Sequence, residues 1–140
     1  MKFIFLAWIC VSTLNASFSK SNGIVIDDFT KLEWQDEYLE NTIKKASWSD
    51  SLIYCNELNT GGYNNWRLPN KNELKSIVDR GKMYPALDSI FTKVADNYYW
   101  TSTTITSDIT YAMRITFGTG RDGYIHKTEE HYVRCVRGGN

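Results

Sequence analysis

A turn, two large apolar side chains, an arginine and a helix start are crowded into residues 64–74. Gly61, Gly62, Asn64 and Asn65 reach positive φ at little cost, so whatever precedes them ends there. Pro69 disfavours helix at Leu68, and Asn70 followed three residues later by Glu73 has the form of a capping box. Between these signals Trp66 and Leu68 share one side of an extended segment while Arg67 takes the other. The two halves of the chain therefore meet at a corner, and Arg67 is the residue there without an evident role.

With 140 residues, 14% of them aromatic, the chain has room for one domain around one core. Its first 19 residues read as a cleaved secretory signal peptide: Lys2 is the basic start, residues 3–11 are apolar, and residues 12–19 are polar and small. Cleavage after Ala16 or after Ser19 fits, and the apolar run is well short of the roughly 20 residues a membrane span needs. A lipoprotein reading through Cys10 is disfavoured by bulky Ile9 before it. Of 16 basic and 16 acidic residues the leader removes only Lys2, leaving residues 20–140 with a formal charge of −1 and no bulk signal for nucleic acid. Charge is unevenly placed: residues 27–57 carry eight acids and three bases, residues 111–140 five bases and three acids. Export leaves Cys55 and Cys135 where disulfides persist, and two cysteines admit one intramolecular pairing. A Cys55–Cys135 bond is expected, adding about 4–5 kcal/mol in the chain-entropy picture.

Residues 23–28 are a β-branched run, and residues 32–36 alternate apolar with polar, which predicts an opening hairpin. Residues 37–45 read as loop. Ser47 ahead of Asp50, with Trp48, Leu52, Cys55 and Leu58 at helical spacing, predicts a helix over 48–58. Leu74, Ile77 and Val78 predict a short second helix ending near Gly81, and a further turn is expected over 87–91. Period two then takes over in residues 98–103, 111–117, 124–127 and 131–137, with Gly118, Gly120 and Gly123 supplying turns. The expected class is α+β, two short helices on one side of an antiparallel sheet. Val133 and Cys135 share one face of the last strand, and Arg134 the other with Tyr132 and Val136.

No phosphate loop, dinucleotide fingerprint, nucleophile elbow or zincin motif occurs, so no catalytic residue, metal or cofactor is assigned. His126 and His131 with Glu129 or Glu130 would make a two-histidine zinc site, against the three protein ligands usual in catalytic zinc. The carboxylate pairs Asp27-Asp28, Asp36-Glu37 and Glu129-Glu130 lack the spacing of a calcium loop. Trp34, Trp48, Trp66 and Trp100 lie on apolar faces and read as core. Tyr63, Tyr111, Tyr124, Arg114, Arg121, Lys127 and Arg137 instead mix aromatic and cationic groups in turns and outward strand positions. That mixture suits sulfated or carboxylated glycans, since guanidinium groups meet sulfate and carboxylate bidentately; scattered solubilising charge is the alternative.

Taken together, residues 27–34, Trp48-Ser49-Asp50 leading to Cys55-Asn56-Glu57-Leu58, residues 61–70 with Glu73-Leu74, Tyr99-Trp100-Thr101-Ser102-Thr103 and residues 132–137 resemble the Legionella collagen-like (Lcl) adhesin C-terminal domain family. The resemblance covers essentially the whole of residues 20–140, and the family's two cysteines match Cys55 and Cys135. It implies a secreted, periplasmic or cell-surface bacterial module that binds host polysaccharides such as glycosaminoglycans, as a trimer. Only the leader precedes residue 20 in this sequence, so the collagen-like stalk of that adhesin is not expected here. Arg67-Leu68-Pro69 after Trp66, the strand containing Trp100, and Arg134-Cys135-Val136-Arg137 are also similar to the formylglycine-generating enzymes, whose fold is a variant of the C-type lectin fold. That likeness implies a C-type lectin-like α+β architecture with Trp66, Arg67, Leu68, Pro69, Trp100 and Arg134 as its structural motif. An enzyme or enzyme remnant of that group would keep Cys55 and Cys135 free for copper. The expectation is a non-enzymatic binding module for a glycan or a surface protein, the third reading being a structural envelope protein.

Overall fold

The computed structural model describes residues 17–139; the leader through Ala16, with Cys10, lies outside the described residues. In chain order the elements are β1 (Phe18–Ser21), β2 (Ile24–Asp27), β3 (Leu32–Gln35), β4 (Lys45–Ala46), α1 (Trp48–Glu57), α2 (Lys71–Ser76), β5 (Tyr98–Thr104), β6 (Tyr111–Thr116), β7 (Asp122–His126), β8 (His131–Tyr132) and β9 (Val136–Gly138). They form two sheets, ordered β1-β2-β3-β9 and β4-β8-β5-β6-β7. The class is α+β as expected, but with two sheets where one was predicted. All pairings are antiparallel except β5 with β8, where Tyr99 faces Tyr132 in parallel register.

The opening hairpin is β2–β3, and β1 joins its outer edge, Phe18 packing edge-on against Phe91 at 5.6 Å. A leader cut after Ser19 would remove half of β1, whereas a cut after Ala16 spares it. Ser47 caps α1 by accepting from the Asp50 N–H, and Asn70 with Glu73 closes the predicted capping box on α2. Asn70→Ala is expected to cost about 1 kcal/mol, measured as a lowered urea midpoint. At the corner, Arg67 finds its role. Its backbone bridges Val136, its guanidinium grips both Glu73 oxygens at 2.6 Å, and Nη2 donates to Gly138 O at 3.0 Å. Burial pushes the Glu73 carboxyl up, but Arg67 and the Asn70 N–H more than offset this and hold it below the usual range. The residue thus staples the start of α2 to the last strand.

Two of the sequence expectations fail for one reason: the five-stranded sheet is buried on both faces. Even-numbered Trp100 and Ala112 pack with Cys55 of α1, Trp66, Leu68 and Val133; odd-numbered Tyr99 and Ile115 pack with Leu74 and Ile77, from α2 and its C-cap. The helices therefore lie on opposite faces, not one. The predicted strand over 131–137 is likewise divided, β8 joining one sheet and β9 the other, because residues 133–136 are all buried where the sheets meet. The alternation itself holds across the break: Val133 and Cys135 enter one core cluster, Tyr132 and Val136 the other. The segment read as loop over 37–45 ends in β4, whose Ala46 pairs with His131. The disulfide forms as expected, Cys55 to Cys135 with a Cα–Cα distance of 5.5 Å.

Candidate functional site

The hairpin β6–β7 sorts the predicted binding residues by parity. Tyr111 pairs with His126, Met113 with Tyr124 and Ile115 with Asp122, so these side chains share the α2 face of the sheet. Ala112 with Ile125 and Arg114 with Gly123 belong to the α1 face, with Trp100 opposite Arg114 on β5. Tyr111 and Tyr124 are thereby separated from Arg114 by the thickness of the sheet.

On the α1 face, Arg114 is held flat. Its Cζ stands 4.0 Å from the Tyr98 ring centroid on one side, and on the other a Cβ at Gly123 would land 2.6 Å from that same atom. Glycine is what lets the guanidinium lie on the β7 backbone, and Tyr98 supplies a cation–π contact above it. Nη1 donates to Arg121 O at 3.4 Å, while buried Nε has no partner. Lys127, four residues from Gly123 along the same strand parity, rests its ammonium 3.8 Å over the Trp48 ring and donates to Thr104 Oγ1 at 2.9 Å. Trp48 is held in turn, its Nε1 donating to Thr101 O at 2.9 Å. Beyond Tyr98 lies His131, its ring 5.5 Å from Tyr98 and 5.5 Å from Trp100. Burial pushes its pKa below the ordinary value; Glu129 works against that shift, while Lys45 and Arg114 add to it. The result is a sheet face on which two cations are fixed by aromatic rings.

The remaining candidates lie elsewhere. Arg121 is exposed in the turn before β7. Tyr111 sets its ring edge-on to Tyr124 at 5.8 Å and to His126 at 5.2 Å, an aromatic notch on the α2 face with Tyr124 64% exposed. Arg137 is on the other sheet, paired with Glu33, donating to Asn65 Oδ1 at 2.8 Å and stacked 3.5 Å over Tyr63. Its hydrogen-bonding edge is already engaged. His126 and His131 fall on opposite faces, and among the described residues no three metal-ligating side chains converge. A cleft of about 480 Å³ between residues 37–40 and 54–60 carries Glu37, Glu40 and Glu57, which would repel a polyanion. Sequence reading missed Tyr98, Trp48, Gly123 and His131 as partners in the site; the alternation of β5 with Arg114 could have supplied Tyr98, whereas Trp48 required the tertiary fold.

The Lcl C-terminal domain, as a family model, matches residues 23–137, from the start of the β2–β3 hairpin into β9. The chain belongs to this family. The match leaves β1 outside and takes in both cysteines, the corner and every residue of the Arg114 face. No curated protein matches the sequence. The family is associated with the bacterial surface and with cell-envelope, adhesin-type modules. Cys55 and Cys135, which a thiol-dependent oxidase would need free, are bonded to each other. No helix among the described residues is long and apolar enough to cross a membrane.

Proposed function

We propose that this Lcl C-terminal domain is a lectin-like adhesion module that recognises sulfated or carboxylated polysaccharide through the face bearing Arg114 and Lys127. The observation that supports this reading most is the fixed geometry of the two cations. An exposed lysine or arginine ordinarily loses about 2 kcal/mol of rotamer freedom when it binds, whereas cations already seated on Tyr98 and Trp48 have given up much of it. A planar guanidinium also suits sulfate and carboxylate. Arg121, exposed at the end of the same hairpin, extends the positive surface.

Retention of the oxidised chain on immobilised heparin across a salt gradient tests the proposal. The chain is expected to hold past physiological salt, and the double variant Arg114→Ala, Lys127→Ala to bind about a hundredfold more weakly, roughly 1.5 kcal/mol for each of the two charge-assisted hydrogen bonds lost. Arg121→Ala should shift elution only slightly. Washing through at low salt in every form would overturn the reading and move it to an uncharged glycan or a protein partner.

A further inference from the structure

Glu129 and His131 stand beside this face without a part in the reading so far. His131 Nε2 is buried and has no hydrogen-bond partner; the Glu129 carboxylate stops short of it at 3.5 Å. His131 is faced by Tyr98 and Trp100 from β5, by Arg114 from β6, by Lys45 from β4, and by Glu129 from its own turn. Glu129 is thus the acidic member of a set otherwise made of cations and rings, and its side chain is 54% exposed, free to swing outward. Arg114 and His131 flank the same Tyr98 ring, at 4.0 Å and 5.5 Å. An anion arriving at Arg114 therefore lies one ring away from an imidazole whose pKa burial holds below the ordinary value.

We infer that His131 is a further anion-contacting residue of the face, covered by Glu129 until an incoming sulfate or carboxylate displaces that side chain, so that recognition takes up a proton. This rests on the polysaccharide reading proposed above. The linkage has a definite sign. In the empty site burial, Lys45 and Arg114 disfavour the imidazolium and Glu129, at 3.5 Å, favours it; an anion that displaces Glu129 and accepts directly from Nε2 favours it more and raises the pKa. Protons bind more readily to the complex than to the free chain, so affinity rises as pH falls from neutral towards the depressed value of the free histidine. One such group changes affinity by at most about tenfold per pH unit. Glu129 acts as a resident competitor, and its removal strengthens binding beyond what one lost negative charge does at a distance.

Heparin affinity measured near about pH 7.5 and about pH 5.5 decides the matter, the interval in which a histidine changes charge. The wild-type chain should bind several-fold more tightly at the lower pH. His131→Gln should bind at both pH values with most of that rise gone, while His126→Gln, on the opposite face, keeps it. Glu129→Gln should bind more tightly than Glu130→Gln at the higher pH, although both remove one charge; thermal melts confirm that each variant is folded. If His131→Gln keeps the full pH rise, or Glu129→Gln and Glu130→Gln coincide, this inference fails while the Arg114 site stands. If wild type binds at neither pH, the polysaccharide reading itself fails and takes the inference with it.

Discussion

Replacing Arg134 with methionine is expected to destabilise the chain by about 3–5 kcal/mol, seen as a large fall in urea midpoint at neutral pH. Arg134 is fully buried: Nη1 donates to Gln35 O at 2.5 Å and to Asp36 Oδ1 at 3.0 Å, Nη2 to Lys93 O at 2.5 Å, and Phe91 and Tyr99 enclose the guanidinium. Asp36 also accepts from Lys20 Nζ at 2.5 Å, Thr92 N at 2.8 Å and Lys93 N at 3.1 Å. One arginine thus ties the end of β3 and the 92–93 loop to the junction of β8 and β9. Methionine fills similar volume but leaves two carbonyls without their donor and a buried carboxylate with Lys20 as its remaining ion-pair partner, which costs more than the pair itself contributes. Asp36→Asn in the same chain should recover part of the loss, since the buried charge, by then paired with Lys20 alone, is gone. Burial pushes the Asp36 carboxyl up, yet Arg134, Lys20 and the Thr92 N–H outweigh it and hold the group below its usual range. Its stabilisation is complete above the ordinary aspartate value of about 4 and fades as pH falls through the depressed one. The methionine variant should therefore lose much of the wild-type acid limb. An unchanged midpoint would show that Arg134 is dispensable to the fold.

Local signals in the sequence were faithful where the physics is local. The Asn70–Glu73 capping box, the Ser47 cap, the β2–β3 hairpin and the alternation of residues 131–137 all depend on atoms a few positions apart, and each is found in the structure. What escaped was decided at a distance. Residues 133–136 look like one continuous strand because every one is strand-compatible, but burial from two sheets at once divides them. Arg134 could be placed on a face by parity; that the face is closed over it depends on Asp36, 98 positions away. The candidate site shows the same divide. Arg114 was legible as an outward cation between apolar Met113 and Ile115 and Lys127 as one in an outward strand position, and they share a face. Tyr111 and Tyr124 were grouped with Arg114 by composition, although parity sets Tyr111 opposite Arg114 on β6, and the β6–β7 register puts Tyr124 on the side of Tyr111. Arg137 has the parity of a surface residue but is engaged by Glu33, its cross-strand neighbour on β3, and by Asn65 and Tyr63.

Removing the disulfide, through Cys55→Ala with Cys135→Ala, is expected to cost about 4–5 kcal/mol and to weaken heparin retention although neither sulfur touches the proposed face. The stability loss follows from sequence separation: the bond closes a loop across 80 positions, nearly two thirds of the described chain, and a long loop retains much entropy once opened. Against a total stability of typically about 5–15 kcal/mol, that is a substantial share. The effect on binding follows from what the bond positions. Cys55 lies on the buried side of α1, and the N-terminal residue of that helix is Trp48, whose N–H donates to Lys127 O at 3.1 Å and whose ring carries the Lys127 ammonium. At the other end, the Cys135 N–H donates to Gln35 Oε1 at 3.2 Å, and Gln35 Nε2 donates to Tyr54 Oη at 2.8 Å, back on α1. The bond and this hydrogen-bond chain run in parallel between the helix and the sheet junction. Opening the first leaves α1 on the weaker of the two, so the Trp48 platform should loosen before the fold is lost. A double alanine variant that still melts cooperatively but elutes from heparin at lower salt, with Lys127→Ala adding little further loss, would place the coupling in the α1 platform. Retention equal to wild type in a destabilised but folded variant would show instead that the Trp48 and Tyr54 hydrogen bonds hold α1 in place without the disulfide.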